Sequence, residues 1–171
     1  RAAQAIREVV EENAINGVKY EETGDFWQVS RLTDHDREVV AETIEAGPRG
    51  LYDRVAVDSE PEKQVVASLR DRSYPNGTIC AFFKLPPWFR ILTPVGTYNP
   101  DFAIVKKDDA ANKDTIYLVR EVKGSKGDTT EPRYGTDEGR KIECAKKHFS
   151  VVADGQIDYQ VIADPSQISA R

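Results

Sequence analysis

Apolar residues recur at helical spacing over residues 1–14 (RAAQAIREVVEENA), where Ala2, Ile6, Val9 and Val10 share one face among good helix formers. Gly17 closes that stretch, and β-prone pieces follow around Val18–Tyr20 and Phe26–Val29. Thr33 or Asp34 can cap a second helix running to about Ala46, with Gly47 and Pro48 ending it. From Leu51 the pattern sharpens. LYDRVAV is a short strand or extended lead-in, and Asp58 or Ser59 can cap a helix that admits Pro61 in its first turn. Glu62, Val65, Val66 and Leu69 share one face of that helix. Thr78–Leu85 reads as a strand, which Pro86 and Pro87 break. Pro94, Gly96, Asn99 and Pro100 make a turn-rich approach to a strand at Asp101–Val105. A polar loop from about Lys106 to Asp114 leads to a strand at Thr115–Lys123, and a Gly/Ser/Asp/Thr-rich loop fills 124–136. Asp137–Val151 is helical, with Ile142, Ala145 and Phe149 on one stripe, and Ile157–Ile162 is the last strand. The order helix, three strands, helix, strand predicts an α/β fold on a small mixed sheet flanked by helices (αβββαβ), preceded by an N-terminal helical extension.

Composition narrows the class. The chain has 171 residues, 39% hydrophobic and 31% charged, enough for one domain with a sizeable core. Apolar runs fall far short of the roughly 20 residues a membrane span needs, and the first residues carry no charged-then-apolar pattern, so no signal peptide is expected. The chain begins at Arg1 and contains no Met, which suggests an excised piece of a longer protein. Two cysteines and two histidines, with no CxxC pair, argue against a zinc site and for two reduced interior thiols in a cytoplasmic protein. The net charge of −5 argues against holding nucleic acid by bulk charge alone. The acidity is concentrated early, with 16 acidic and 10 basic groups in residues 1–72, whereas 120–147 carries 8 basic and 6 acidic groups. An acidic metal site remains compatible with this balance.

The chemistry gathers at Asp101 and the triplet Glu121-Val122-Lys123. Alternate residues of a strand face one side, so Glu121 and Lys123 project together while Val122 turns to the opposite face. A hairpin loop centred near Ala111 sets 101 opposite 121. Two adjacent carboxylates repel, and a hard divalent ion such as Mg²⁺ compensates them through oxygen ligands. Lys123 then stands ready to orient a nucleophile or stabilise charge building on a phosphate. Glu62 faces the sheet as a third carboxylate, with Glu60, a quarter-turn or more away, ranked second. The plain alternative makes Asp101 a turn residue after Pro100, and Glu121 and Lys123 an exposed edge pair. The placement of both motif halves on strands, with an inward Glu on the preceding helix, favours the metal site.

The run FFKLPPWFRILTPVGTYNPDFAIV, followed by IYLVREVKGS and KIECAKKHF, resembles the C-terminal endonuclease domain of the restriction subunit of Type III restriction-modification enzymes. DSEPEKQVV fits the helix that opens that domain. The resemblance spans about Leu51 to Ile162, so the nuclease domain is expected over 51–171. Residues 1–50 are expected to link it to a motor domain. The resemblance implies a restriction-endonuclease-like fold of the PD-(D/E)xK superfamily, with Asp101, Glu121 and Lys123 as the catalytic core and Glu62 as its helix carboxylate. Asp101, Glu121, Glu62 and the Val122 backbone carbonyl would hold Mg²⁺, for which Mn²⁺ can substitute. The implied substrate is double-stranded DNA, and the implied partners are an ATP-driven helicase-like motor in the same chain and a methyltransferase subunit. Arg120 stands where an apolar residue is more usual; by alternation it faces away from the site.

No G-x-x-x-x-G-K-[ST] loop is present, so no ATP site is expected. Lys126, Lys141, Lys146, Lys147 and His148 are candidate DNA contacts, weighed evenly against a solvated helix face. Trp88 and Phe89 could form a wedge, but packing over a core edge is the favoured reading. A nuclease-like module that docks DNA or a partner without cutting, and a repair or junction nuclease of the same superfamily, are the alternatives.

Overall fold

Four strands make the central sheet of the computed structural model, which describes residues 1–24, 42–74, 77–107, 115–124, 136–152 and 156–169. They are β3 (Thr78–Lys84), β6 (Phe102–Lys107), β7 (Thr115–Val122) and β8 (Ile157–Ile162), in the order β3-β6-β7-β8. β3–β6 and β6–β7 pair antiparallel and β7–β8 pairs parallel, so the sheet is mixed. Two helices complete the αβββαβ core: α2 (Glu60–Asp71) and α3 (Asp137–Val151). Two small hairpins flank it, β1 (Glu42–Glu45) with β2 (Arg54–Val57), and β4 (Ile91–Thr93) with β5 (Gly96–Tyr98). An N-terminal helix, α1 (Ala2–Gly17), precedes them.

Strand alternation divides the core in two. Phe102, Ile104, Leu118 and Val122 turn to one face, where they meet Val65, Val66 and Leu69 of α2 and Val55 and Val57 of β2. Val119, Tyr98 and Ile91 lie on the other, against Ile142, Ala145 and Phe149 of α3. Both core helices begin as their sequences require. Ser59 caps α2 by accepting from Glu62 N, with Pro61 in the first turn. Thr136 caps α3 by accepting from Gly139 N at 3.1 Å. The bounds of α3 and β8 match those expected from the sequence.

Several expectations are corrected. Residues 42–45 are a strand rather than the end of a helix: Ile44 pairs with Val55 and packs on the α2-side core, an environment the local helical pattern does not encode. The rest of that expected helix, and Phe26–Val29, lie outside the described residues. Val18–Tyr20 forms no strand. The approach to Asp101 contains the β4–β5 hairpin, and β6 continues through Lys106 and Lys107, which were expected to open a loop. Cys80 is exposed rather than interior, while Cys144 is buried; both are free thiols. The face of α1 formed by Ile6, Val9 and Val10 is exposed. α1 is held instead through its C-terminal end, where Ile15 is buried and Lys147 of α3 donates to the carbonyls of Ile15 (2.7 Å) and Asn16 (3.0 Å). Among the described residues no helix is long and apolar enough to cross a membrane.

Candidate active site

The site lies where β6 begins and β7 ends. The β6–β7 register runs from Lys107–Thr115 to Phe102–Arg120, so one residue further on Asp101 faces Glu121, the pairing inferred from a loop centred at 111. The turn into Asp101 is held on three sides. Asn99 Nδ2 donates to the carbonyls of Phe89 (2.7 Å) and Pro86 (3.3 Å), tying the Pro-Pro turn to the Asn-Pro-Asp turn. Leu85 N donates to the Asp101 carbonyl at 2.7 Å. Val122 N donates to Asp101 Oδ2 at 2.7 Å, joining the two halves of the motif directly. Lys123 N donates to the Ile162 carbonyl at 2.8 Å, which fixes the end of β7 against β8.

Glu121 is 6% exposed. Its Oε2 accepts from the Tyr98 hydroxyl at 2.7 Å and its Oε1 pairs with Lys123 Nζ at 2.8 Å. Lys123 also pairs with Glu138 in the first turn of α3. On the other side of Asp101, Glu62 is 7% exposed. Its Oε2 accepts from Lys84 Nζ at 2.6 Å and from Asp58 N at 3.1 Å, and Lys84 also pairs with Asp58 at 2.5 Å. Two ammonium groups thus flank Asp101, each shared between one buried and one exposed carboxylate.

Electrostatics follow from that crowding. Burial, then the Glu121 charge, pushes the Asp101 carboxyl up to about 7. Burial also raises Glu121, against the lowering influence of Lys123 and Tyr98. For Lys123 and Lys84 burial favours the neutral amine, but the surrounding carboxylates outweigh it and both stay protonated with raised values. Burial and the Glu121 charge raise the Tyr98 hydroxyl, so it remains a donor.

Asp101, Glu121 and Lys123 come together, with Glu62 adjoining through Lys84; Glu60 points away and pairs with Lys63 at 3.5 Å. Arg120 lies on the opposite face, wholly buried, donating to the carbonyls of Ile168 (3.0 Å) and Asp158 (2.7 Å) and to Asp158 Oδ2 (2.8 Å). The candidate DNA contacts do not form one stripe. Lys126 lies outside the described residues. Lys141 sits beside the β4–β5 turn, its Nζ 3.7 Å from where a Gly96 Cβ would be. Lys146 pairs with Glu143 at 2.9 Å. Lys147 is engaged with α1, and His148 lies edge-on between Tyr20 and Phe149, each ring centroid 5.0 Å away. Burial lowers the His148 imidazole. Phe89 packs on the α3-side core. The sequence reading missed Lys84, Tyr98, Tyr159, Asp58 and Glu138. Tyr98 could have been noticed in the TYNPD run; Lys84 and Tyr159 enter only through the β3–β6 and β7–β8 registers.

Among the described residues no three His, Cys, Asp or Glu side chains converge as a ready cage for an ion; Lys84 pairs with Glu62 and Lys123 with Glu121. The donors nevertheless suit Mg²⁺, which takes one or two carboxylates with waters and substrate oxygens completing the shell. Asp101 and Glu121 are two hard-oxygen donors whose mutual repulsion a cation would relieve.

A mixed sheet that carries Asp, Glu and Lys at the shared end of two adjacent strands defines a restriction-endonuclease-like fold. The family comparison agrees: a family model described as an endonuclease domain matches residues 48–165, and the chain belongs to that family. No curated protein and no solved structure matches the chain.

Proposed function

We propose that this chain is the Mg²⁺-dependent endonuclease domain of the restriction subunit of a Type III restriction enzyme and hydrolyses phosphodiesters of double-stranded DNA. Its working partners would be an ATP-driven helicase-like motor, joined through the segment 1–50, and a methyltransferase subunit that reads the sequence. The Type III assignment is supported by the KLPPWF, TYNPD and EVKGS elements. The observation that carries the nuclease reading is the juxtaposition of Asp101 with Glu121, next to Lys123, through the Val122 N to Asp101 Oδ2 bond.

Asp101, Glu121 and the Val122 carbonyl would hold the ion, with Glu62 in support. Bound Mg²⁺ supplies a Lewis acid for phosphoryl oxygens and acidifies water. The chain's own residues do the rest. Asp101 spends Oδ2 on Val122 N and keeps Oδ1 for a ligand. Lys123 offers an ammonium that stays charged at neutral pH, placed to orient the attacking water or to donate to the phosphate as its negative charge grows. Lys141, beside the β4–β5 turn, would contact the DNA backbone.

The test is nicking of supercoiled plasmid with Mg²⁺ or Mn²⁺ by the wild type, Asp101→Ala and Lys123→Ala. Metal-dependent nicking lost in both variants supports the reading. Equal nicking by all three rejects the residue assignment. If none nicks, even with motor and methyltransferase subunits added, the chain is a docking module instead.

A further inference from the structure

Glu121 is anchored by a pair of tyrosines that the Asp-Glu-Lys motif does not include. The Tyr98 hydroxyl donates to Glu121 Oε2 at 2.7 Å and lies 2.6 Å from the Tyr159 hydroxyl. A phenol carries one proton. Tyr98 gives its proton to the carboxylate, so the proton between the two phenols belongs to Tyr159, and the chain runs Tyr159 to Tyr98 to Glu121. Both rings are fixed. Tyr98 is 6% exposed and meets Tyr159 edge-on, with centroids 6.5 Å apart, and Tyr159 stacks on Phe149 at 5.2 Å. The three residues come from different elements: Tyr98 from β5, Tyr159 from β8 and Glu121 from β7.

We infer that Tyr98 and Tyr159 are positioning residues that set the orientation of the Glu121 carboxylate for the divalent ion. This deepens the proposed metal-dependent nuclease reading and rests on it. A glutamate at a strand end has three rotatable bonds. Lys123 alone, flexible and shared with Glu138, leaves one carboxylate oxygen unconstrained. The Tyr98 hydroxyl takes that second oxygen, and the Tyr159 proton polarises the phenol and holds it in place. Groups that orient a metal ligand typically affect metal affinity or activity by about 10–100-fold.

The test is calorimetric Mn²⁺ binding to the DNA-free chain, with kcat and KM for nicking measured alongside. Tyr98→Phe and Tyr159→Phe keep the buried rings and remove one hydroxyl each. Tyr98→Phe is expected to weaken Mn²⁺ binding and to lower kcat, each by about 10–100-fold, with KM unchanged. Tyr159→Phe should lose less, and the double variant should be no worse than Tyr98→Phe, because the links act in series. If Tyr98→Phe does not fold, a severalfold loss of Mn²⁺ affinity in Tyr159→Phe carries the inference. Wild-type binding of Mn²⁺ with unchanged affinity in the variants, or independent additive losses, overturns the relay alone. A wild type that binds no Mn²⁺ removes the metal reading and the relay with it.

Discussion

Replacing Asp101 with Asn should make the metal-free protein more stable at neutral pH, although the residue sits at the centre of the site. Burial of Asp101, then the charges of Glu121 on β7 and Glu62 on α2, outweigh the lowering influence of the Val122 N–H and of Lys84 on β3. Its carboxyl is raised from 3.8 to about 7. The folded state therefore binds a proton that the unfolded chain has released above about pH 4, so stability falls as pH rises. This contribution is complete below about pH 4 and lost above about pH 7. A shift of about 3 units at 1.36 kcal/mol each corresponds to about 4 kcal/mol. Asn stays neutral, and its amide oxygen can still accept from Val122 N. Urea denaturation in EDTA should then show Asp101→Asn and the wild type alike near about pH 4 and diverging by about 4 kcal/mol by about pH 8, equivalent to a shift in Tm of about 8–16 °C. Groups that do not interact with Asp101 contribute equally to both proteins and cancel in the difference, whereas Glu121 titrates together with Asp101, so the divergence belongs to the pair. A difference that does not change with pH, or a variant less stable than wild type near about pH 8, refutes the reasoning.

Two further substitutions separate structure from chemistry. Arg120→Leu removes a fully buried cation that ties β7 to Asp158 and to the Ile168 carbonyl. Denaturant titration should show a loss of about 3 kcal/mol, while nicking per folded molecule stays unchanged because the side chain lies across the sheet from Glu121; a loss under about 1 kcal/mol, or lost nicking with the fold intact, contradicts this placement. Lys147→Ala removes the ammonium that caps the C-terminal carbonyls of α1. Amide exchange in α1 should quicken about fivefold, corresponding to about 1 kcal/mol, with the central sheet unaffected; equal exchange in both proteins would show that α1 is held without Lys147, by buried Ile15 and by the ion pair of Glu11 on α1 with Arg140 on α3 (2.5 Å).

What was legible in the sequence is what depends on local period. Alternation along Thr115–Val122 sends Glu121 to one face and Arg120 to the other, and the symmetric spacing about residue 111 sets Asp101 opposite Glu121. Helical spacing put Glu62 on the inward face with Val65, Val66 and Leu69, and all four are buried. The errors arose where a distant partner decides the outcome. Residues 42–45 are a strand because β2 supplies their hydrogen-bond partners.

The same distinction explains why the Asp-Glu-Lys motif is an incomplete description of the site. The motif records residues on two adjoining strands, whose spacing a hairpin preserves in the sequence. The groups that set the behaviour of its carboxylates arrive by other routes. Lys84 comes through the antiparallel pairing of β3 with β6, which places it opposite Phe102, next to Asp101. Tyr159 comes through the parallel pairing of β8 with β7, which puts it on the face shared by Val119 and Glu121. Neither register follows from a turn of fixed length, since β3 and β6 are separated by the β4–β5 hairpin and β7 and β8 by α3. Glu62 on α2 and Glu121 on β7 are both buried acids, yet differ in their surroundings. Glu62 is held by an ammonium and a backbone N–H, whereas Glu121 is held by an ammonium and a phenol backed by a second phenol. A carboxylate shared by Lys84 and Asp58 N is suited to support, and one aligned through Tyr98 and Tyr159 is suited to a fixed ligand geometry, which is why the larger effect on ion affinity is expected from the tyrosines beside Glu121.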